Sequence, residues 1–192
     1  LDRIDAVNGS LHAVAFDDRE RARKRASDNA FPPEVFAGVP AMIKNNTRFA
    51  GLPTCFGSAA VPVRPAPADE AFTRQLVATG VNIVGASTMP AFGLTATTEF
   101  VDREPTRNPW DTDFSCGASS GGSSALVAAG AIPIAHANDG GGSIRIPAAA
   151  CGLVGLKVSR GRLAPAEASE SAPIDLVANG IVSRTVRDTA NF

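Results

Sequence analysis

Apolar and polar positions fall into short runs of two kinds along this chain, and their alternation predicts an α/β architecture. Asp17 to Ala30 sets Arg19, Glu20, Arg21, Arg23, Lys24 and Arg25 around a few alanines, the pattern of a surface helix with a solvated charged face, and Phe31-Pro32-Pro33 breaks it. Val39 to Ile43 is a compact apolar run that stops at Lys44, which predicts a buried strand with a lysine at its tip. Ala68, Phe72, Leu76 and Thr79 recur at helical spacing, Gly80 supplies a stop, and Val81 to Gly85 predicts the next strand.

Asp102 to Phe114 is polar and contains proline, so it reads as loop, and it leads into Gly117-Ala118-Ser119-Ser120-Gly121-Gly122-Ser123. Ser123 to Ala129 is small and apolar, a buried helix that Gly130 can end; Ala131 to Ala137 then reads as a buried strand. That strand runs into Asp139-Gly140-Gly141-Gly142-Ser143-Ile144-Arg145, so Ser143 falls at a strand-to-helix turn. A helix over Ile146 to Cys151 follows, with Pro147 in its first turn where a missing N–H costs little. Thr185 to Phe192 predicts a last helix, capped by Thr185 with Asp188 three residues on. Pro62 to Pro67 reads as a surface loop, and no internal repeat is present.

Composition narrows the functional classes. With 192 residues, 44% hydrophobic and 19% charged, the chain can bury one substantial core, and its formal net charge of -1 provides no basic field for nucleic acid or an acidic membrane surface. Cys55, Cys116 and Cys151 form no CxxC pair and, with two histidines, make no plausible zinc set. So sparse and odd a count favours reduced thiols and a cytoplasmic location. The start, Leu1-Asp2-Arg3-Ile4-Asp5, lacks the apolar region of a signal peptide, and no segment approaches the roughly 20 apolar residues of a membrane span.

The chemistry concentrates in the glycine-rich turn. Three glycines before a serine leave bare backbone N–H groups beside a hydroxyl, an arrangement suited to acyl transfer. The upstream serine run offers a second hydroxyl, and Gly38 to Lys44 offers an amine. A serine hydroxyl is a poor nucleophile at neutral pH and needs a base within about 2.6–3.2 Å. A lysine serves only when neutral, which requires burial; Ala41, Met42 and Ile43 give it an apolar approach.

Five blocks in order carry a resemblance: Gly38-Val39-Pro40 through Lys44; Gly51-Leu52-Pro53-Thr54; Thr106-Arg107-Asn108-Pro109-Trp110; Ser119-Ser120-Gly121-Gly122-Ser123; and Gly141 through Pro147 followed by Cys151-Gly152-Leu153-Val154-Gly155-Leu156-Lys157. Together they resemble the amidase signature family over the whole chain. The resemblance implies a mixed β-sheet core flanked by helices on both faces, here incomplete at both ends, with residues 1–192 forming a single domain that is the N-terminal part of a longer catalytic core. It implies hydrolysis of a carboxylic amide through an acyl-serine, with no metal and no cofactor: Lys44 as base, Ser119 as bridging serine after a cis peptide bond from Ala118, and Ser143 as nucleophile. The oxyanion would lie among the N–H groups of Gly140, Gly141, Gly142 and Ser143, with Asp139, Arg145 and Ser120 in support. The partner implied is a small-molecule amide, linear or cyclic, with no nucleic acid and no membrane; a homodimer is compatible with the sequence.

Departures from the family pattern are Asn45 for an aspartate, Cys116 for a proline, Ala118 for a glycine, Ala86 and Ala91 for a lysine and a glutamate, and Val158 for a proline. None removes a side chain of the implied triad. Two rival readings rest on the same residues. Gly117-Ala118-Ser119-Ser120-Gly121 also fits a G-x-S-x-G elbow, which would make Ser119 the nucleophile of an α/β-hydrolase esterase, but the residues before it read as loop and no acid lies between Ser119 and His136. His136 reads instead as a satisfied strand histidine. The other rival is a non-catalytic anion site at the glycine-serine helix start. Substrate choice would be set by segments such as Ala91 to Asp102 and residues 164–179, whose chemistry is unreadable from sequence.

Overall fold

The computed structural model describes residues 1–167 and 173–192. Its centre is one mixed sheet. Strand β1 (Val14–Asp17), β2 (Pro40–Lys44), β3 (Asn82–Ser87), β4 (Ile134–Asp139), β5 (Val154–Gly155) and β6 (Ala178–Ser183) lie in the order β1-β3-β2-β4-β6-β5. β2 pairs in parallel with both β3 and β4, whereas β1 runs antiparallel to β3, and β6 antiparallel to β4 and β5. Parallel neighbours need crossover connections, and the helices provide them: α3 (Ala71–Ala78) links β2 to β3, and α4 (Gly121–Ala128) precedes β4.

Side chains alternate across a strand, so each strand feeds two cores. Met42, Val84, Ala135, Ala137 and Val182 meet Ile4, Val7 and Leu11 of α1 (Asp2–Leu11), Leu126 and Val127 of α4, and Ala148 and Cys151 of α5 (Arg145–Cys151). On the opposite face Ala41, Ile43, Ile83, Ile134 and Ile181 pack with Phe72 and Leu76 of α3, and with Phe192 beyond α6 (Val186–Asn191). Each fully buried aliphatic or phenylalanine side chain in such a layer stabilises the fold by about 1.5–3 kcal/mol. β3, β4 and β6 are buried at every position, so polar residues they carry, such as Asn82, His136, Asn138, Asp139 and Asn179, are buried with them.

The predicted elements are found with shifted edges. Helix α3 begins three residues later than the spacing suggests, and β3 continues through Gly85 to Ser87. A Cβ at Gly85 would meet Phe16 O at 2.5 Å, so this glycine marks a close approach of β1 rather than a strand end. Thr185 caps α6, its hydroxyl accepting the Asp188 N–H at 3.0 Å. Pro62 to Pro67 lies on the surface, held by isolated bridges from Pro65 to Pro53 and from Ala66 to Ala50.

The arginine-rich helix α2 (Arg19–Ser27) is more than a solvated face. Arg25 donates to Asn82 Oδ1 at 3.1 Å and Arg21 to Ala50 O at 3.0 Å, and both pair with the buried Asp18, so α2 is pinned to β3 and to the loop after β2. Helix α1 and strands β1, β5 and β6 are not visible in the residue pattern.

Candidate active site

The connections after β2, before α4 and after β4 converge on one spot. Lys44 ends β2 with its side chain wholly buried. Its Nζ lies 2.7 Å from Ser119 Oγ and 2.7 Å from Asn138 Oδ1. Burial pushes the amine down from the ordinary lysine value of 10.5 to about 7, against the opposing pull of the Asp139 charge. The amine is therefore about half neutral near pH 7.

Ser119 follows a cis peptide bond from Ala118 and is 4% exposed. The loop that carries it is fixed by the Thr98 hydroxyl, which donates to Gly117 O at 2.8 Å, and by the N-terminus of α4 immediately after. A Cβ at Gly122 would meet Thr88 Oγ1 at 2.3 Å and Ala13 O at 2.6 Å, so only glycine lets α4 come this close to β3. Ser123 is tied up structurally, donating to His136 O at 2.6 Å and accepting from the Ser87 hydroxyl at 2.7 Å.

Ser143 sits in the turn between β4 and α5, half-buried. The Ser120 N–H donates to Ser143 O at 3.3 Å, which holds this turn against the Ser119 loop. The Ser143 hydroxyl itself makes no hydrogen bond among the described residues, whereas the Lys44 to Ser119 link is fully formed.

Asp139 organises the turn. Wholly buried, it accepts the N–H groups of Gly142 (2.7 Å), Ile144 (3.1 Å) and Arg145 (3.4 Å), and the Arg145 guanidinium through Nε and Nη2, both at 2.9 Å. Burial alone would raise its pKa, but the Arg145 and backbone hydrogen bonds outweigh that and hold the carboxyl well below the usual range. Lys157 lies 3.4 Å from Asp139 Oδ1 and donates to Gly140 O at 3.0 Å and Leu176 O at 2.9 Å.

These bonds separate three of the four candidate oxyanion donors, the N–H groups of Gly141, Gly142 and Ser143. In a trans peptide the C=O of one residue and the N–H of the next point in opposite directions. Gly142 N–H is committed to Asp139, and Gly142 O accepts from Ile146 N at 2.7 Å, which turns the Ser143 N–H the other way. Gly140 O is held by Lys157, which likewise turns the Gly141 N–H away from Lys157. Gly141 is exposed, and its N–H and that of Ser143 have no partner among the described residues.

Asn46, Asn138 and Lys157 have no role that sequence alone assigns. Lys157 lies inside a recognised block, but its partners Asp139 and Gly140 are in another. His136 is buried with Nδ1 accepting the Lys44 N–H at 3.2 Å, Nε2 3.4 Å from Asn179 Oδ1, and its ring 4.8 Å from Phe72. Burial, reinforced by the Lys44 charge, pushes it down to about 3, so it is a neutral strand histidine. The segment before Gly117 is loop, not the strand an elbow serine requires. Part of the 164–179 segment, residues 168–172, lies outside the described residues. No helix among the described residues is long and apolar enough to cross a membrane, and no group of three or more His, Cys, Asp or Glu there could hold a metal ion.

A mixed six-stranded sheet with helices on both faces, carrying these blocks, matches part of the fold of the amidase signature enzymes. The structure superposes on that of a bacterial aryl acylamidase of this class with a TM-score of 0.88 and 33% identity, covering 99% of this chain and 41% of the other. It matches 6-aminohexanoate cyclic dimer hydrolase equally well, at TM-score 0.88 and 35% identity over 98% of this chain and 40% of the other. In sequence it is 50% identical to AmiC of Mycobacterium tuberculosis over 190 residues, 99% of this chain and 40% of that relative. The Amidase family model matches residues 1–192, and the chain belongs to that family. It spans about two fifths of the length of the relatives it matches.

Proposed function

We propose that this chain carries the reacting side chains of an amidohydrolase that cleaves a carboxylic amide through a covalent acyl-serine, with Ser143 as nucleophile, Ser119 as bridge and Lys44 as base. The observation that carries the reading is the wholly buried Lys44 amine, 2.7 Å from the Ser119 hydroxyl and titrating at about 7. A base poised near the working pH combines the right protonation state with useful driving force.

Lys44 takes the Ser119 proton, Ser119 takes that of Ser143, and Ser143 Oγ bonds to the amide carbonyl carbon. The Ser119 to Ser143 contact closes when substrate fills the site, as catalytic hydrogen bonds commonly tighten in the bound complex. The developing oxyanion is met by the Gly141 and Ser143 N–H groups, each such donor contributing about 3–4 kcal/mol to the transition state. Return of the proton through Ser119 to the amide nitrogen lets the C–N bond break. Water, deprotonated by the same relay, then releases the carboxylic acid and restores Ser143.

The substrate class is a small linear or cyclic amide. The names of two similar structures, an aryl acylamidase and a hydrolase of a cyclic amide dimer, support this, as do the exposed Phe92 beside the site and Ile146 at its rim. The test is treatment of the full-length chain with a fluorophosphonate and mapping of the adduct by mass spectrometry. A phosphonylated Ser143, lost in Ser143→Ala and strongly reduced in Lys44→Ala, is expected. An adduct on Ser119 would favour the elbow reading, and no adduct would favour an anion-binding site.

A further inference from the structure

The lysine base has a second partner, and the nature of that partner matters. A neutral amine offers two N–H donors and one lone pair in a tetrahedral arrangement, and Lys44 Nζ has two partners at 2.7 Å, Ser119 Oγ and Asn138 Oδ1. A carboxamide oxygen can only accept, so Nζ donates to Asn138. Ser119 can donate, and its proton is the one the relay must move.

Asn138 is itself locked. It is 4% exposed, it pairs from β4 with Asn179 of β6, and its backbone carbonyl accepts from the Ser120 hydroxyl at 3.4 Å. Its carboxamide forms a reciprocal pair with that of Asn46: Asn138 Nδ2 donates to Asn46 Oδ1 at 3.1 Å, and Asn46 Nδ2 donates to Asn138 Oδ1 at 3.2 Å. Flipping the Asn138 amide would break both of these bonds and set an NH2 group against the lysine amine.

We infer that Asn138 is the positioning residue of the lysine base: held by Asn46, its uncharged oxygen takes one hydrogen of the Lys44 amine and leaves the lone pair facing Ser119. The inference rests on the reading of Lys44 as base. An acceptor here must be polar enough to orient the amine yet carry no charge. A carboxylate at the same 2.7 Å would fix the ammonium form and silence the relay near neutral pH.

The other ionisable groups facing Lys44 leave that balance intact. His136 on β4 stays neutral with Nδ1 accepting the Lys44 backbone N–H. Asp139 favours the protonated amine, but its charge is engaged by Arg145 and Lys157. β3 and α4, which pack against β2, contribute no ionisable side chain.

The experiment compares the pH profile of kcat/KM for the full-length chain, Asn46→Asp and Asn138→Asp on a small anilide. In Asn138→Asp a carboxylate against Nζ raises the proton affinity of the base about 100-fold, within the range for a close opposite charge. That lowers the neutral fraction at pH 7 from about one half to about one hundredth, a loss of about 50-fold that recovers to within a few-fold above pH 10. Asn46→Asp places its charge one amide further away, so its limb moves upward by less. Coincident limbs in all three proteins would overturn the inference. Should Asn138→Asp not fold, the half-buried Asn46→Asp decides alone: an upward shift supports the role of Asn138, and an unmoved limb overturns it. A Ser143→Ala control run with fluorophosphonate separates the two levels. Adduct persisting in that variant refutes the relay itself, whereas adduct lost with unmoved limbs refutes only the positioning role.

Discussion

Replacing Lys44 by methionine should abolish activity while removing a standing cost to the fold. In the unfolded chain the amine keeps its ordinary 10.5, and in the native protein burial takes it to about 7. Between those values the unfolded state holds more protons on this group than the native state, so stability rises with pH across that window. Below pH 7 both states are protonated and the penalty is constant. A native amine titrating at about 7 against 10.5 in the unfolded chain therefore carries a penalty of about 4 kcal/mol at pH 7 and about 2 kcal/mol at pH 9. Lys44→Met lacks it, offset by about 1–3 kcal/mol for the bonds to Ser119 and Asn138 left unmade. The cleaner quantity is therefore the pH dependence of the difference. Urea unfolding of the full-length chain and Lys44→Met, followed by circular dichroism at pH 7, 8 and 9, should show the original protein gaining about 2 kcal/mol relative to the variant. Titrating groups not coupled to Lys44, including the buried cysteines, are common to both proteins and cancel. Parallel stability curves would refute the claim that Lys44 is buried as a neutral amine.

Three further outcomes are expected. Lys157→Met frees the Gly140 carbonyl, so kcat should fall about 10- to 100-fold with KM changed only a few-fold, equivalent to roughly 1.4–2.7 kcal/mol of transition-state stabilisation; an unchanged kcat would remove Lys157 from the account of the turn. Gly122→Ala drives a Cβ to 2.5 Å from Thr88 N and 2.6 Å from Ala13 O, both backbone atoms, and should cost about 3 kcal/mol, seen as a lowered Tm. Cys116 and Cys151, both buried and pushed up to about 12, should resist iodoacetamide at pH 8 in the native protein and react only when urea unfolds it, as read by peptide mass mapping.

The parts of the fold that sequence reveals are those whose signal is local. The run Ala41-Met42-Ile43 before Lys44 and the turn residues around Ser143 each declare themselves within a few positions. Strand β6 does not, because Ala178-Asn179-Gly180 at its start lacks the β-branched and aromatic residues that mark a strand; it is a strand because it pairs along six residues of β4. Helix α1 hides in a polar segment whose Ile4, Val7 and Leu11 make a stripe too narrow to stand out. Asn138 is hidden for a different reason. Its meaning lies in contacts to Lys44 and Asn46, 94 and 92 positions away, and in an amide orientation that no spacing rule encodes. The oxyanion turn is legible as glycine-rich, but the division of its N–H groups between Asp139 and the open site depends on a buried carboxylate that sequence places only loosely.

The relay is tested most directly by the rate at which a fluorophosphonate labels Ser143 as pH is varied. The rate should rise about tenfold per pH unit below 7 and level off just above it, as the buried Lys44 loses its proton near pH 7. A labelling rate at Ser143 that is flat from pH 5 to pH 9, or that persists undiminished in Lys44→Ala, would contradict it.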